Sequence, residues 1–175
     1  MKLNITQALN FLPEDEYSKQ MVPAMEKLRL LHEKTGAGND FLGWLNLPSA
    51  INANQINEII AAANELRNAA EVVVVIGIGG SYLGAKAVIE ACNHSFNQLL
   101  SKKKVPLILF AGQNLSQDYL SDLLEVIEDK EYGIVVISKS GTTTEPALAF
   151  RILKNHLESK IGKNQAGKRI IAITD

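Results

Sequence analysis

One short stretch, EVVVVIGIGGSYLG at residues 71–84, limits the folds that are open to this chain. The five consecutive apolar residues from Val72 to Ile76 show no polar alternation, which predicts a strand covered on both faces, as in a parallel sheet. Three glycines follow the strand, and Ser81 then opens a helical segment over 82–93. Strand, glycine turn and helix form the unit on which nucleotide- and phosphate-binding α/β proteins are built.

The rest of the chain extends this unit into a regular alternation of strands and helices. Strand-like apolar runs lie at 72–77, 106–110, 133–138 and 169–174, and helical stretches lie at 82–93, 116–129 and 144–158. This order predicts an α/β fold with three α/β/α layers around a doubly wound parallel sheet.

The first 70 residues are predicted to be helical. Apolar residues recur at helical spacing over 12–34 and over 50–68, with Ser49 as the expected N-cap of the second helix. We therefore expect a helical segment over 1–70 that packs on an α/β domain over 71–175. The chain ends in a strand, ITD, where a loop and helix would normally continue, so this domain is expected to be cut short at its C-terminal end.

Composition argues against several classes of protein. The chain has 175 residues, is 46% hydrophobic and 21% charged, and has a net charge of -1, so neither a nucleic-acid surface nor a membrane span is expected. The basic run at 102–104 is interpreted as a solvated loop. The N-terminus has no apolar signal core, and the single cysteine, Cys92, is expected to be buried and inert. A cytoplasmic protein is the natural expectation.

The glycine turn has the spacing of neither common nucleotide motif. In G-x-G-x-x-G counted from Gly77, the third glycine should stand where the chain has Tyr82, and no acidic residue follows the second strand to hold a ribose. In a P-loop running from Gly79 to Gly84, the lysine should stand where the chain has Ala85. NAD and ATP are therefore disfavoured as ligands.

The loop after the third strand, SKSGTTTEP at 138–146, has the chemistry of a phosphate site. In the common flavodoxin-type strand order, strands one and three are neighbours, and this loop meets the glycine turn at the edge where parallel sheets bind ligands. A helix N-terminus offers unpaired N–H groups and a partial positive charge, and hydroxyls donate to phosphate oxygens. The candidate ligands are Ser138, Lys139, Ser140, Thr142 and Thr143.

An alternative is that these residues only cap the following helix. Thr142 and Glu145 have the spacing of a capping box, and Pro146 suits a first helical turn. For any single hydroxyl this alternative is at least as good. Five hydroxyl residues within 138–144 exceed what one cap requires, so binding is favoured for the loop as a whole.

Two motifs in this order, VVVVIGIGGSYLGAKAVIEA and VVISKSGTTTEPALAFRILK, resemble the bacterial type of the glucose-6-phosphate isomerase family. The segment TGAGNDFLGWLNLP at 35–48 is similar to the N-terminal part of the same family, so the resemblance covers the whole chain. It implies a sugar-isomerase fold and an enzyme that interconverts glucose 6-phosphate and fructose 6-phosphate through an enediolate, in glycolysis and gluconeogenesis. It further implies a cytoplasmic homodimer without cofactor or metal.

The resemblance also implies roles for individual residues. Gly80 and Ser81 would lie along the sugar. The phosphate pocket would be formed by Ser138, Lys139, Ser140, Thr142 and Thr143. Family members run to more than twice this length and carry their catalytic groups beyond Asp175, so no catalytic residue is expected in this chain.

The chain itself shows no evident acid or base for catalysis. Its three histidines, none of which has a partner at metal-ligand spacing, are interpreted as surface or packing residues: His32, His94 and His156. We expect a chain that binds the sugar phosphate and is inactive or nearly so by itself. The alternative is a stand-alone sugar-phosphate-binding domain that senses or regulates, which would need no base.

Overall fold

The structure, a computed structural model, describes residues 2, 4–96, 99, 100 and 105–174. The chain divides into two compact units, residues 1–56 and 57–175, which we describe separately. The basic run at 102–104 and Asp175 lie outside the described residues. The predicted organisation into 1–70 and 71–175 stays a prediction.

The first unit contains a long helix, α1 (Glu14–Glu33), and a single helical turn, α2 (Leu47–Ala50). Three 3-10 turns accompany them at Ala8–Asn10, Asn39–Phe41 and Gly43–Leu45. None of the described residues in this unit is buried. The helices here are therefore not supported by a core within the unit itself.

Helix α3 (Ala53–Ala69) begins in the first unit and continues into the second. Its start is fixed by a reciprocal pair: Asn52 Oδ1 accepts the N–H of Gln55 at 3.0 Å, and Gln55 Oε1 accepts the N–H of Asn52 at 3.1 Å. The prediction that Ser49 is the N-cap is wrong, because Ser49 lies inside α2. Both residues have side chains that can cap, and the turn between α2 and α3 selects the later one.

The second unit is built on a four-stranded sheet in which all pairs are parallel. The strands are β1 (Val72–Ile76), β2 (Leu107–Ala111), β3 (Tyr132–Ile137) and β4 (Ile170–Ile173). Their order is β2-β1-β3-β4, so β1 and β3 are neighbours, as the flavodoxin-type order requires. The helices are α4 (Gly80–Cys92), α5 (Gln117–Ile127), α6 (Thr144–Ile161) and α7 (Lys163–Gly167). The predicted α/β class is confirmed.

Strand β1 is buried over its whole length because helices cover both faces of the sheet. Alternate residues of a strand point to opposite faces. Val74, with other residues of its face, packs against buried leucines such as Leu123 of α5 and Leu153 of α6. Val73 and Val75 instead belong to a cluster with Leu66 of α3. The unbroken apolar run in the sequence reflects this two-sided burial.

An apolar groove of about 610 Å³ remains on the second face, between α3, α4 and the sheet. Cys92 lines this groove and is exposed, so the prediction that it is buried is wrong. The apolar residues Val88, Ile89 and Cys92 of α4 do line the groove next to the sheet, but no described side chain fills that groove. Ile59 of α3 and Val88 of α4 are 65% and 63% exposed for the same reason.

No helix in the described part of the chain combines the length and apolar character that crossing a bilayer would demand.

Candidate functional site

The glycine turn (residues 77–81) and the end of β3 are in close contact. A Cβ atom on Gly77 would lie 3.3 Å from Cβ of Ser81 and 3.4 Å from the carbonyl oxygen of Ile137, the residue before Ser138. The N–H of Gly77 donates to the carbonyl of Ala111 at 3.0 Å. The ends of β1, β2 and β3 therefore meet at one point, and the two predicted loops begin side by side.

The loop after β2 also reaches this point, through Gly112. Its φ is +79°, and a Cβ atom there would lie 2.8 Å from Cγ2 of Ile76 and 3.0 Å from Cα of Pro146, in the first turn of α6. Only glycine tolerates both this backbone conformation and this approach. Gly112 thus lets the helix that follows the third strand start close to the end of the first.

The loop at residues 138–143, here called the serine-threonine loop, is organised by its own hydroxyl groups. Ser138 Oγ accepts the N–H of Gly141 at 3.1 Å, and Ser140 Oγ accepts the N–H of Thr142 at 3.3 Å. The hydroxyls of Ser140 and Thr142 are 2.8 Å apart. Gly141, with a φ of +67°, closes the turn. The hydroxyls of Ser140 and Thr142 therefore form a hydrogen-bonded pair, and the hydroxyl of Ser138 holds the backbone of the same turn.

The start of α6 has no side-chain cap. Thr143 is the N-cap residue, and its hydroxyl makes no capping hydrogen bond. The alternative in which Thr142 and Glu145 form a capping box is wrong, because the N-cap lies one residue later than that box requires. The first N–H groups of a helix have no intrahelical acceptor. The first N–H groups of α6 are therefore not bonded by the side chains of Thr142, Thr143 or Glu145 and can bond another acceptor.

Helix α4 also begins without a side-chain cap, at Gly79, whereas α5 has one in Ser116, whose Oγ accepts the N–H of Tyr119 at 3.2 Å. Neither α4 nor α6, the helices that follow the glycine turn and the serine-threonine loop, has a side-chain cap. At α4, however, the N–H groups of Ser81 and Tyr82 donate to the carbonyls of Ile78 and Gly79 at 3.1 and 3.2 Å, so the start of α6 is the more open of the two. Uncapped N–H groups and the positive end of the helix dipole attract anions. The site thus favours a negatively charged group.

The predicted site residues are distributed over these two segments. Gly80 and Ser81 are the first residues of α4, the first exposed and the second half-buried. In the serine-threonine loop, Ser138 and Thr143 are half-buried, while Lys139, Ser140 and Thr142 are exposed. All seven belong to the second unit, at the carboxyl edge of the sheet.

A cavity of about 420 Å³ adjoins the serine-threonine loop and runs along α6. Ser138, Gly141 and Thr143 line one end of it, and Arg151 and Lys154 of α6 line it further along. The sequence analysis did not single out these two basic residues. Arg151 and Lys154 follow Thr143 by eight and eleven residues, a spacing that places them on the helix face that begins at the loop. This helical spacing is the sequence signal that could have identified them.

The imidazole of His156 lies away from this site. Its Nδ1 is 2.9 Å from Oη of Tyr132, and its Nε2 is 2.8 Å from a carboxylate oxygen of Glu128. The hydrogen bond and charge of His156 lower the pKa of Glu128, and burial raises the pKa of Tyr132. Tyr132 begins β3, so this cluster lies at the amino edge of the sheet, opposite the loops. His156 has a packing role here.

The remaining titratable groups offer no clear base at the loops. His94 accepts the N–H of Phe96 through Nδ1 at 3.1 Å, after the end of α4, and His32 belongs to α1 in the other unit. Glu145 stands in the first turn of α6, where a carboxylate is favourable beside the helix dipole. Within the described residues, Glu145 is thus the one carboxylate of the two loops, and neither loop contains a histidine.

Comparison with known protein families gives a match over most of the chain. Residues 55–175 match the sequence profile of the family described as Phosphoglucose isomerase. The chain belongs to the phosphoglucose isomerase family. The glycine turn and the serine-threonine loop both lie within the matched range.

Relatives within the phosphoglucose isomerase family are similar over the entire chain. A glucose-6-phosphate isomerase of Parabacteroides distasonis is 55% identical over 175 residues, which is 100% of this chain and 39% of that protein. One from Bacillus cytotoxicus is 51% identical over 97% of this chain and 38% of that protein. The chain thus spans about two fifths of the length of these curated relatives.

A solved structure supports the same assignment. The crystal structure of a glucose-6-phosphate isomerase from Chlamydia trachomatis is 30% identical and superposes with a TM-score of 0.55. The match covers 73% of this chain and 23% of that one. The expected resemblance to the family is thereby confirmed.

Proposed function

We propose that this chain binds the phosphate and sugar of a hexose 6-phosphate for an aldose–ketose isomerase, in the interconversion of glucose 6-phosphate and fructose 6-phosphate. The serine-threonine loop and the open start of α6 would hold the phosphate, with donors from Ser138, Lys139, Ser140, Thr142 and Thr143. Gly80 and Ser81, at the start of α4, would lie along the sugar. The relatives named as glucose-6-phosphate isomerases support this substrate class.

The observation that carries the proposal is the start of α6, which has no side-chain cap, next to the hydrogen-bonded hydroxyl pair of Ser140 and Thr142. A phosphate monoester accepts several hydrogen bonds at once, and charge-assisted bonds of this kind are about twice as strong as neutral ones. The hydroxyls are already gathered before the ligand arrives, which reduces the entropic cost of binding.

The setting of this activity is part of the same proposal. An enzyme of this reaction would act in glycolysis and gluconeogenesis, in the cytoplasm, and as a homodimer in its full form. The reaction moves a proton between neighbouring carbons and passes through an enediolate, so it requires a positioned base and a stabilised oxyanion. The proposal gives this chain the binding part of that work and no catalytic residue.

A ligand titration of the 175-residue chain tests the proposal. Calorimetry should detect binding of fructose 6-phosphate and weaker binding of inorganic phosphate, with little binding of fructose. Ser140→Ala should weaken binding of both phosphates by about 1–3 kcal/mol, because one charge-assisted hydrogen bond is lost and Thr142 loses its partner.

Ser159→Ala is the matched control, since Ser159 is an exposed serine near the other end of α6. This variant should bind as the unmodified chain does. If fructose binds as well as fructose 6-phosphate, or if Ser140→Ala leaves both affinities unchanged, the assignment of the phosphate to the serine-threonine loop is wrong.

A further inference from the structure

The imidazole of His156 bridges two other side chains at the amino edge of the sheet. Its Nδ1 lies 2.9 Å from the hydroxyl of Tyr132, and its Nε2 lies 2.8 Å from a carboxylate oxygen of Glu128. The same tyrosine hydroxyl donates to the backbone carbonyl of Leu153 at 2.9 Å. These three hydrogen bonds join the end of α5, the start of β3 and the second half of α6.

The number of protons that these bonds require follows from what each group can do. The carbonyl of Leu153 and an ionised carboxylate at Glu128 can only accept. The hydrogen bond and charge of His156 lower the pKa of Glu128 below its ordinary value of 4.5, so this carboxylate is ionised at neutral pH. Tyr132 has one proton, and burial raises the pKa of Tyr132, so the hydroxyl keeps it. Three bonds need three protons, and two of them must come from the imidazole.

We propose that Glu128, Tyr132, Leu153 and His156 form a pH-sensitive clasp, which makes all three bonds when both ring nitrogens of His156 carry a proton and gives up one when the ring is neutral. If Nε2 keeps the single proton of a neutral ring, Tyr132 must donate either to Leu153 or to Nδ1. If Nδ1 keeps it, the lone pair of Nε2 faces the carboxylate of Glu128. The clasp is independent of the proposed function, since it lies at the edge opposite the serine-threonine loop.

Each of the three elements brings a titratable group to the clasp. Glu128, at the end of α5, pairs directly with the ring, and its negative charge favours the second proton. Lys160 of α6 donates its Nζ to the backbone carbonyl of Glu128, and its positive charge opposes that proton. Tyr132 of β3 is neutral and stacks on the imidazole, with ring centroids 5.8 Å apart. Because Glu128 alone bonds the ring with a charge, its effect outweighs that of Lys160.

The clasp gives the fold a pH dependence of defined sign. The bond that a neutral ring gives up is present at the acid end of the range in which an imidazole titrates, about pH 5–8, and is lost as the pH rises through it. Carboxyl groups titrate below this range, so their contribution to stability is separate.

Thermal unfolding at about pH 5.5 and about pH 8 tests the clasp, since these values lie near the two ends of the imidazole range. Between them, the Tm of the unmodified chain should fall by about 2–4 °C more than that of His156→Gln, the shift that one lost hydrogen bond causes in a chain of this size. Glu128→Gln should also show a smaller fall than the unmodified chain. The side chain of Glu128 is 66% exposed, so this second variant leaves the core intact.

His32→Gln is the matched control, because His32 is an exposed histidine of α1. Its Tm should fall as much as that of the unmodified chain. Nitrogen-15 NMR adds a direct readout: at about pH 5.5, both ring N–H protons of His156 should give resolved signals, because each is held in a hydrogen bond. A single ring N–H signal from His156 at that pH, or an equal fall of Tm in the unmodified chain, His156→Gln and Glu128→Gln, would overturn the clasp.

Discussion

At the scale of single residues, Gly112 has the most demanding position at the site. Its positive φ costs little for glycine and about 1–2 kcal/mol for most other residues. A Cβ atom would also press against the side chain of Ile76 and the backbone of Pro146. A larger residue must therefore move either the end of β1 or the start of α6, and both carry the site.

We predict that Gly112→Ala lowers the free energy of unfolding by about 1–3 kcal/mol, from backbone strain and overpacking together. Gly84→Ala is the matched control, because Gly84 lies inside α4 and nothing stands within 4 Å of a Cβ atom there. This control should raise the free energy of unfolding by about 0.5–1 kcal/mol, since alanine favours a helix. Urea denaturation measures both changes. Equal effects of the two substitutions would show that the contacts of Gly112 do not constrain the fold.

Single residues also mark where sequence reasoning ends. The hydroxyls of the serine-threonine loop could be predicted, because their types and order are visible in the chain. Whether Thr142 or Thr143 would begin α6 could not, because either can serve as an N-cap and the choice depends on how the loop turns. The prediction that Cys92 is buried was wrong for another reason. The apolar pattern around it identifies the apolar face of α4 but does not tell whether another element covers that face.

At the scale of elements, the amino ends of three strands are joined by a polar network. Glu131 precedes β3, and its carboxylate pairs with the guanidinium of Arg169, which precedes β4. The backbone N–H of Glu131 donates to the carboxylate of Glu71, which precedes β1, at 3.1 Å. The backbone carbonyl of Glu131 accepts the N–H of Val72 at 3.2 Å. The hydrogen bond and charge of Arg169 lower the pKa of Glu131 below its ordinary value of 4.5.

This network gives the stability of the sheet a defined pH dependence. A carboxyl group whose pKa is lowered by folding stabilises the fold above pH 4.5, and the contribution is lost as the pH falls through the lowered value. In Glu131→Gln the loss of stability on acidification should therefore be smaller. Glu65→Gln, which alters an exposed residue of α3, should leave the profile unchanged. Thermal unfolding between pH 7 and the acid range measures this; parallel profiles for the chain and Glu131→Gln would contradict it.

The strands and most helices could be predicted because their signals are local. An apolar run such as that of β1, ended by glycine, indicates a buried strand before any partner is known. The short helix α7 was missed, because its five residues depend on packing of Ala166, which is fully buried, rather than on a pattern of their own. The pairing of β1 with β3 was an expectation from fold type, and the register of Val72 with Tyr132 came only from the structure.

At the scale of the whole molecule, the candidate phosphate site and the His156 cluster lie at opposite edges of the sheet. The carboxyl edge of the sheet holds the hydroxyls of the serine-threonine loop and the start of α6, and the cavity along α6 adjoins them. His156, the histidine in closest contact with other titratable groups, is engaged at the opposite edge. Glu145 is the one acidic residue within the described part of 138–146, and a carboxylate there would repel a bound phosphate unless it is turned away.

We predict that the 175-residue chain binds fructose 6-phosphate and converts it at no more than a trace rate. A coupled assay that detects glucose 6-phosphate checks this, with a full-length glucose-6-phosphate isomerase of the family as the reference under the same conditions. Substantial turnover by the chain alone, scaling with its concentration and lost in Ser140→Ala, would mean that one of the described groups acts as the base.

The strand order also has a consequence for synthesis on the ribosome. Strand β1 is central, yet its neighbour β3 is far along the chain; the paired residues Glu71 and Glu131, at their starts, are 60 positions apart. Until β3 has emerged, the nascent chain carries a fully apolar strand with at least one unpaired edge, which is the kind of segment that associates with other chains. Expression at low temperature or with added chaperones should therefore raise the yield of soluble chain, because β1 is protected while residues 77–137 are being made.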